Sequence, residues 1–299
     1  MAQLTEQEKQ DIRQSLTTYS ARYASQAKAA NSLKGVTSPG TFNAVVNGKF
    51  DKISDDMLLK IRAAVSSSCP TEGWKVCETT SFREMETLFD DAQRFRNVTW
   101  ITGPAGIGKT TAAREYASSH RNVFVLQCSE DMHKADFVDE LATLIGLRTG
   151  GLTVRETLAG IVDELVRMDN PLLVFDEGDK LADPVMHYFI GLYNALEDKC
   201  GMVFLSTKYI ERRISIGLRY GRKGYEELYS RLGRRFVPLS PVTAAEIAAI
   251  CRANGLTDEK AVASVVGEAG DAWSGKGEFD LRRVKKSVHK RLRIAAARN

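Results

Sequence analysis

Val98-Thr99-Trp100-Ile101-Thr102-Gly103-Pro104-Ala105-Gly106-Ile107-Gly108-Lys109-Thr110-Thr111 is the stretch on which the fold turns. A short apolar strand runs into a glycine-rich turn, and a helical pattern over 111–118 follows at once. The turn has the spacing G-x-x-x-x-G-K-[ST], and between a strand and a helix that spacing describes a P-loop. Its glycines let backbone N–H groups close around phosphate oxygens, and the helix N-terminus favours their negative charge. Gly103, Pro104, Ala105, Gly106, Ile107, Gly108, Lys109, Thr110 and Thr111 are therefore the candidate nucleotide-binding residues. Lys109 is expected on the β- and γ-phosphates of a nucleoside triphosphate, and Thr110 on Mg2+.

The next chemical signal lies downstream. Leu172-Leu173-Val174-Phe175-Asp176-Glu177 is an apolar run ending in two acids. Asp176 at the strand tip would complete the Mg2+ shell, and Glu177 would polarise a water for attack on the γ-phosphate. Asp179 is read as a cap of the following helix, with no chemistry of its own. A further apolar run over 203–207 ends in Ser206-Thr207. Thr207 is the candidate to bond the attacking water or the γ-phosphate, against the alternative of a hydroxyl that satisfies local backbone. Ser230-Arg231-Leu232-Gly233-Arg234-Arg235 offers Arg231 and Arg234 as arginines that could reach a neighbouring subunit's nucleotide. Solvated surface or contact with DNA phosphates is the alternative for both. Arg282, at the start of the last helix, could reach back to the γ-phosphate or stand as a plain surface arginine.

The strands Val98–Thr102, Val123–Gln127, Leu172–Asp176, 203–207 and 236–239 alternate with helical segments. Continuous apolar strands in that alternation imply a parallel sheet covered on both faces. Ahead of them, Phe82, Met85, Leu88, Phe89 and Ala92 recur at helical spacing over 81–95 and read as core. The organisation expected is a helical domain over 1–68, a linker over 69–80, the α/β core over 81–240 and a helical lid over 241–299. In the first domain Ala29, Leu33 and Val36 form one helical face, 40–46 a second helix stopped by Asn47-Gly48, and Ile53-Ser54-Asp55-Asp56 caps a third carrying Met57, Leu58 and Ile61. Two helices across a tight turn, with Thr41 and Asn43 early on the second, suit a helix-turn-helix entering a DNA groove; a small bundle for protein contacts is the alternative.

Composition narrows the classes. The chain has 299 residues, 43% hydrophobic and 27% charged. It has no apolar run long enough for a membrane span and no signal-peptide pattern in its first thirty residues. Five cysteines, with no CxxC pair, disfavour structural zinc and a disulfide framework, and a reducing cytoplasm is the expected setting. The net charge is only +4, yet 281–299 holds eight basic residues and no acid, and 208–235 holds nine basic residues against three acids. The remainder is therefore strongly acidic, an asymmetry that points to an anionic partner. In the last helix Val284, Val288, Leu292 and Ala295 alternate with the basic residues, giving one packing face and one cationic face suited to a polyphosphate strand.

P-loop, acid-tipped strand, polar strand end, arginine box and helical lid, in this order, resemble the AAA+ ATPases. Within them the chain resembles the family of phage Mu transposition protein B and its target-selecting relatives. The resemblance extends over nearly the whole chain, through the helix-turn-helix-like start, the linker, the P-loop with Ala112-Ala113-Arg114-Glu115-Tyr116, the run Asp176-Glu177-Gly178-Asp179 and the strand over 201–207. It departs at Thr207, where the family commonly has Asn, and at Gly178, where Ala is usual and the change is expected to be harmless. The resemblance implies a five-stranded parallel sheet in the order 5-1-4-3-2, with ATP bound between subunits. It implies an ATP-dependent protein that binds duplex DNA largely without sequence preference, forms a homo-oligomer or helical filament on it, recruits and activates a transposase, and hydrolyses ATP to disassemble. Two other functions fit the same residues: a replication initiator or helicase loader, which would leave a sequence-specific footprint, and a nucleotide switch regulating a protein partner, which would bind no DNA.

Overall fold

In the computed structural model the described residues are 4–20, 26–33, 36–68, 74–270 and 278–296. Residues 34 and 35 of the expected helix-turn-helix, 69–73 of the expected linker and Arg298 of the basic tail lie outside them. The chain divides into two compact units, Met1–Lys75 and Val76–Asn299.

The first unit is helical, with α1 (Glu6–Ser20), α2 (Gln26–Ser32), α3 (Pro39–Val46) and α4 (Asp55–Ser68). Ile12, Leu16 and Tyr19 recur about one turn apart on α1 and are buried with Ala29, Leu33, Phe42, Val45, Leu58 and Ile61. α1, which precedes the helices expected from the sequence to form this core, supplies one of its walls. Ser38 caps α3 by accepting from the Thr41 N–H at 3.1 Å, and Pro39 fixes the first helical φ. The helix stops at Asn47, followed by Gly48 at φ 72°. Asn43 is exposed on α3, whereas the Thr41 hydroxyl lies 2.9 Å from that of Ser38.

The second unit opens with α5 (Thr80–Phe95), β1 (Val98–Thr102), α6 (Lys109–Ser119) and β2 (Val123–Gln127). It continues through α7 (Lys134–Ile145), α8 (Val154–Arg167), β3 (Leu172–Asp176), α9 (Asp183–Leu196) and β4 (Gly201–Ser206). After α10 (Tyr209–Arg219), α11 (Tyr225–Arg231) and β5 (Val237–Pro238) come α12 (Ala244–Ala253), α13 (Glu259–Ala269) and α14 (Leu281–Ala296). The five strands are parallel in the order β2-β3-β4-β1-β5, which is the expected 5-1-4-3-2 read from the other edge. β3 and β4 are buried at every position, as central parallel strands must be.

Aromatic rings fill the layer between sheet and helices. Trp100 stacks on Phe204 at 4.4 Å, Phe204 on Phe175 at 4.7 Å, and Phe189 meets Phe204 edge-on at 4.6 Å. Gly178 belongs to this packing: a Cβ there would lie 3.0 Å from Phe204 Cδ1, so the missing methyl gives the Phe204 ring its room. Three expectations need correction. The strand over 236–239 contracts to Val237–Pro238, because Pro238 has no N–H to extend the ladder, although Leu239 still donates to the Thr102 carbonyl at 2.9 Å. The strand expected at 203–207 runs from Gly201 to Ser206. On α14 the apolar face ends early, since Val284 and Val288 are buried but Ala295 is exposed.

α10 and α11 cross closely because residue 217 is glycine. A Cβ there would run into the Tyr225 ring, whose hydroxyl donates to Asp183 at 2.7 Å. Gly217→Ala is therefore expected to cost about 1–3 kcal/mol by overpacking, lowering the melting midpoint by about 2–12 °C in a thermal scan. An unchanged midpoint would mean that the crossing is loose.

Candidate nucleotide-binding site

The registers set the site. Thr102 of β1 pairs with Ser206 of β4, Asp176 of β3 with Leu205, and Gln127 of β2 with Asp176. All four strands thus end at one edge, and the turns that follow them share the crevice where parallel sheets bind ligands. The P-loop leaves β1 with Gly106 at φ 81° and Gly108 at φ 105°, left-handed conformations that side chains disfavour. Lys109 and Thr110 then open α6.

Lys109 is 9% exposed, and its ammonium donates to the carbonyls of Gly103 at 2.8 Å and Pro104 at 3.0 Å. Burial holds its pKa below the ordinary lysine value, against the raising influence of Asp176 and Asp179, while Arg282 pushes in the same direction as burial. Thr110 donates its hydroxyl proton to Asp176 Oδ2 at 2.6 Å, and Asp176 Oδ1 accepts from the Glu177 N–H at 3.0 Å. Asp176 is fully buried, and burial raises its pKa, with the Thr110 bond opposing. Glu177 itself sits at φ 57° and ψ 37°, a left-handed conformation uncommon for a non-glycine residue and often found at functional sites. Its Oε2 accepts from Lys180 at 2.6 Å and from Gln127 at 3.0 Å.

The hydroxyls after β4 separate cleanly. Ser206 faces inward and accepts from Trp100 Nε1 at 2.7 Å, deep in the core. Thr207 lies at the strand end, where its hydroxyl donates to Asp179 Oδ2 at 2.5 Å and its N–H reaches the same oxygen at 3.3 Å. Asp179 therefore does not cap α9, as the sequence reading expected; α9 begins after Ala182 with no side-chain cap. Arg213, unremarked in the sequence, joins this cluster by donating to the carbonyls of Asp179 at 3.0 Å and Leu181 at 2.8 Å and pairing with Asp183.

The candidate arginines fall into three environments. Arg231 folds onto α9 of its own chain, donating to Asn194 at 2.9 Å and lying over the Tyr193 ring at 5.8 Å. Arg234 is exposed at φ 56°, with no side-chain bond among the described residues. Arg282 is exposed in the first turn of α14, whose start is fastened to the P-loop: the Leu281 N–H donates to the Gly106 carbonyl at 3.0 Å, and Asp280 packs where a Cβ on Gly106 would lie. The lid thus abuts the phosphate loop directly.

This sheet order, with the P-loop after β1 and the acid-tipped β3, defines a P-loop NTPase fold, and residues 93–214 match the AAA domain family. Beyond that class the chain is similar to transposition proteins. It is 25% identical over 238 residues to the Mu-like prophage FluMu DNA transposition protein B of Haemophilus influenzae, covering 75% of this chain and 78% of that one. It is 24% identical over 243 residues to the ATP-dependent target DNA activator B of Escherichia phage Mu, covering 76% and 73%. Among solved structures, the Aeropyrum pernix ORC1 protein in complex with DNA is similar at a TM-score of 0.55 and 18% identity, over 77% of this chain and 64% of that one. That likeness is one of fold alone.

Proposed function

We propose that this protein is an ATPase of DNA transposition. In this reading it binds ATP with Mg2+ and assembles as a homo-oligomer or helical filament on duplex DNA, largely without sequence preference, in a bacterial or phage-infected cytoplasm. It then presents that DNA to a transposase, activates strand transfer, and hydrolyses ATP to come apart. The observation that carries the reading is the convergence of Lys109, Thr110 and Asp176 at one loop, to which the start of α14 is fastened, in a chain similar to an ATP-dependent target DNA activator.

The Thr110 hydroxyl and the Asp176 carboxylate form a paired oxygen donor set of the kind a hard divalent cation takes, so the residues fit Mg2+. When bound, Mg2+ would neutralise part of the phosphate charge. The chain's own groups supply the rest. Lys109 and the loop N–H groups bind the phosphates, and Arg282 reports the γ-phosphate to the lid. Glu177 takes the proton of the attacking water. Thr207 acts through Asp179, a positioning role in place of a direct bond to the water. Arg234 is the better candidate to act in trans, because Arg231 is already engaged within its own chain. The cationic face of α14 meets DNA phosphates, and α3 with its exposed Asn43 is the groove-facing helix of the first unit.

The test is to mix the protein with random-sequence duplex in the presence of ATP, a non-hydrolysable analogue or no nucleotide, then image by negative stain and titrate by anisotropy. Filaments that require nucleotide are expected, with DNA affinity raised about 5- to 150-fold by the γ-phosphate, the usual range of a coupling between two sites. Particles indifferent to both ATP and DNA would sink the reading.

A further inference from the structure

The nucleotide site and α14 leave one charged feature of the second unit without a role. α10 and α11 form a hairpin whose tip is Tyr220-Gly221-Arg222-Lys223-Gly224. One side of α10 buries Ile210, Ile214 and Gly217. The opposite side carries Arg212 and Arg219, seven residues apart and therefore stacked two turns apart on the same stripe. Arg212, Arg219, Arg222, Lys223 and Arg235 are all exposed, and none has a side-chain hydrogen bond or ion pair among the described residues.

The acids of the segment do not neutralise them. Glu211 accepts from Thr102 at 2.8 Å, and Glu227 stands 3.6 Å from Arg231. Glu226 and Glu227 both line the open depression of about 590 Å³ that brings Arg222, Lys223 and Arg234 together, so the three bases there outnumber two acids and the lining stays net positive. Tyr220 stands beside them at the tip, 73% exposed. Crowded like charges repel one another, so the tip stays in place only because its base is fastened. The Tyr225 ring sits against Gly217, its hydroxyl donates to Asp183, and Arg213 pairs with the same Asp183. Arg213 also donates to the carbonyls of Asp179 and Leu181, which ties the hairpin to the turn after Glu177.

A fixed group of exposed cations that outnumbers its flanking acids, with the exposed Tyr220 phenol at its tip, complements the repeating charge of a phosphate backbone. We propose that the α10–α11 tip is a second duplex-DNA contact, separate from α14, in which Arg219, Arg222 and Lys223 bind backbone phosphates and Tyr220 donates its hydroxyl to the same strand. This deepens, and rests on, the DNA-binding reading above. Through Arg213, the contact is joined to the turn that holds Asp179 and Thr207 at the nucleotide site.

The experiment is an anisotropy titration of a random-sequence duplex in a non-hydrolysable ATP analogue with Mg2+, repeated across salt concentrations. It compares the full chain with Arg219→Gln/Arg222→Gln/Lys223→Gln, with the single Arg222→Gln, and with Lys286→Gln/Lys290→Gln/Arg293→Gln on α14. For the triple tip variant, the slope of log K against log salt is expected to shrink by about 2–3, and for Arg222→Gln by about 0.9, the change per lost phosphate contact. Thermal melting serves as the folding control, and the single variant keeps the test decisive if the triple one folds poorly. If the unaltered chain binds no duplex, the DNA-binding reading falls and this inference with it. If the unaltered chain binds and the tip variants keep its slope and affinity while the α14 variant loses them, the inference alone is overturned, and the tip is left as a surface for an acidic protein.

Discussion

Lys109→Ala is expected to weaken ATP binding about 10- to 100-fold, measured by calorimetric or fluorescent-analogue titration with Mg2+ present. The size follows from losing charge-assisted hydrogen bonds to phosphate, worth about 1.5–3 kcal/mol. The geometry explains why the residue is held for a ligand. Lys109 is buried in the first turn of α6, where the helix dipole disfavours a cation by about 0.3–1 kcal/mol and burial disfavours its charge further. Its only bonds among the described residues are to two carbonyls of its own loop. A cation kept against both effects is explained by an anion that belongs beside it. The same reasoning predicts that the alanine variant folds: it removes a desolvated charge, at the cost of leaving the buried Gly103 carbonyl and the half-buried Pro104 carbonyl without that donor. A variant with unchanged ATP affinity would remove the phosphate-binding role from Lys109.

What the sequence disclosed and what it concealed divide along one physical line. β1, β2 and β3 could be read residue for residue, because a buried parallel strand is a continuous apolar run and its ends are marked by turn residues. The P-loop could be read because all of its chemistry lies within eight consecutive residues. The Asp179–Thr207 bond could not, since the two residues are 28 apart in sequence and meet only through the parallel register of β3 and β4. An acid soon after a strand looks like a helix cap when read locally. Arg231 was ambiguous for the same reason: its partners Asn194 and Tyr193 lie on another helix, 37 and more residues upstream. The signal available for Arg213 was weak but present, in an arginine set between apolar Ile210 and Ile214 on a helix that buries that face. α1 carried a plain helical spacing in Ile12, Leu16 and Tyr19, and it was legible from periodicity alone.

Glu177→Gln bears on mechanism more directly than any binding variant. The substitution keeps the shape and one acceptor oxygen while removing the carboxylate that would take the proton of water. A positioned general base contributes about 10²- to 10⁴-fold to rate, so ATP turnover is expected to fall by that factor, followed by phosphate release, while ATP affinity stays near its starting value. The bond to Asp176 is made by the Glu177 backbone N–H and survives the change, so the Asp176–Thr110 pair keeps its geometry. The side-chain ion pair with Lys180 is lost, but it lies at the surface, where such pairs contribute little to stability. Binding and turnover should therefore separate in this variant, as they cannot in Lys109→Ala. If hydrolysis ends the complex with DNA, nucleotide-dependent DNA complexes of Glu177→Gln should also outlast those of the unaltered chain in a competitor chase. Full turnover in this variant would move the base elsewhere. Lost turnover with unchanged complex lifetime would keep Glu177 as the base but cut the link between hydrolysis and release from DNA.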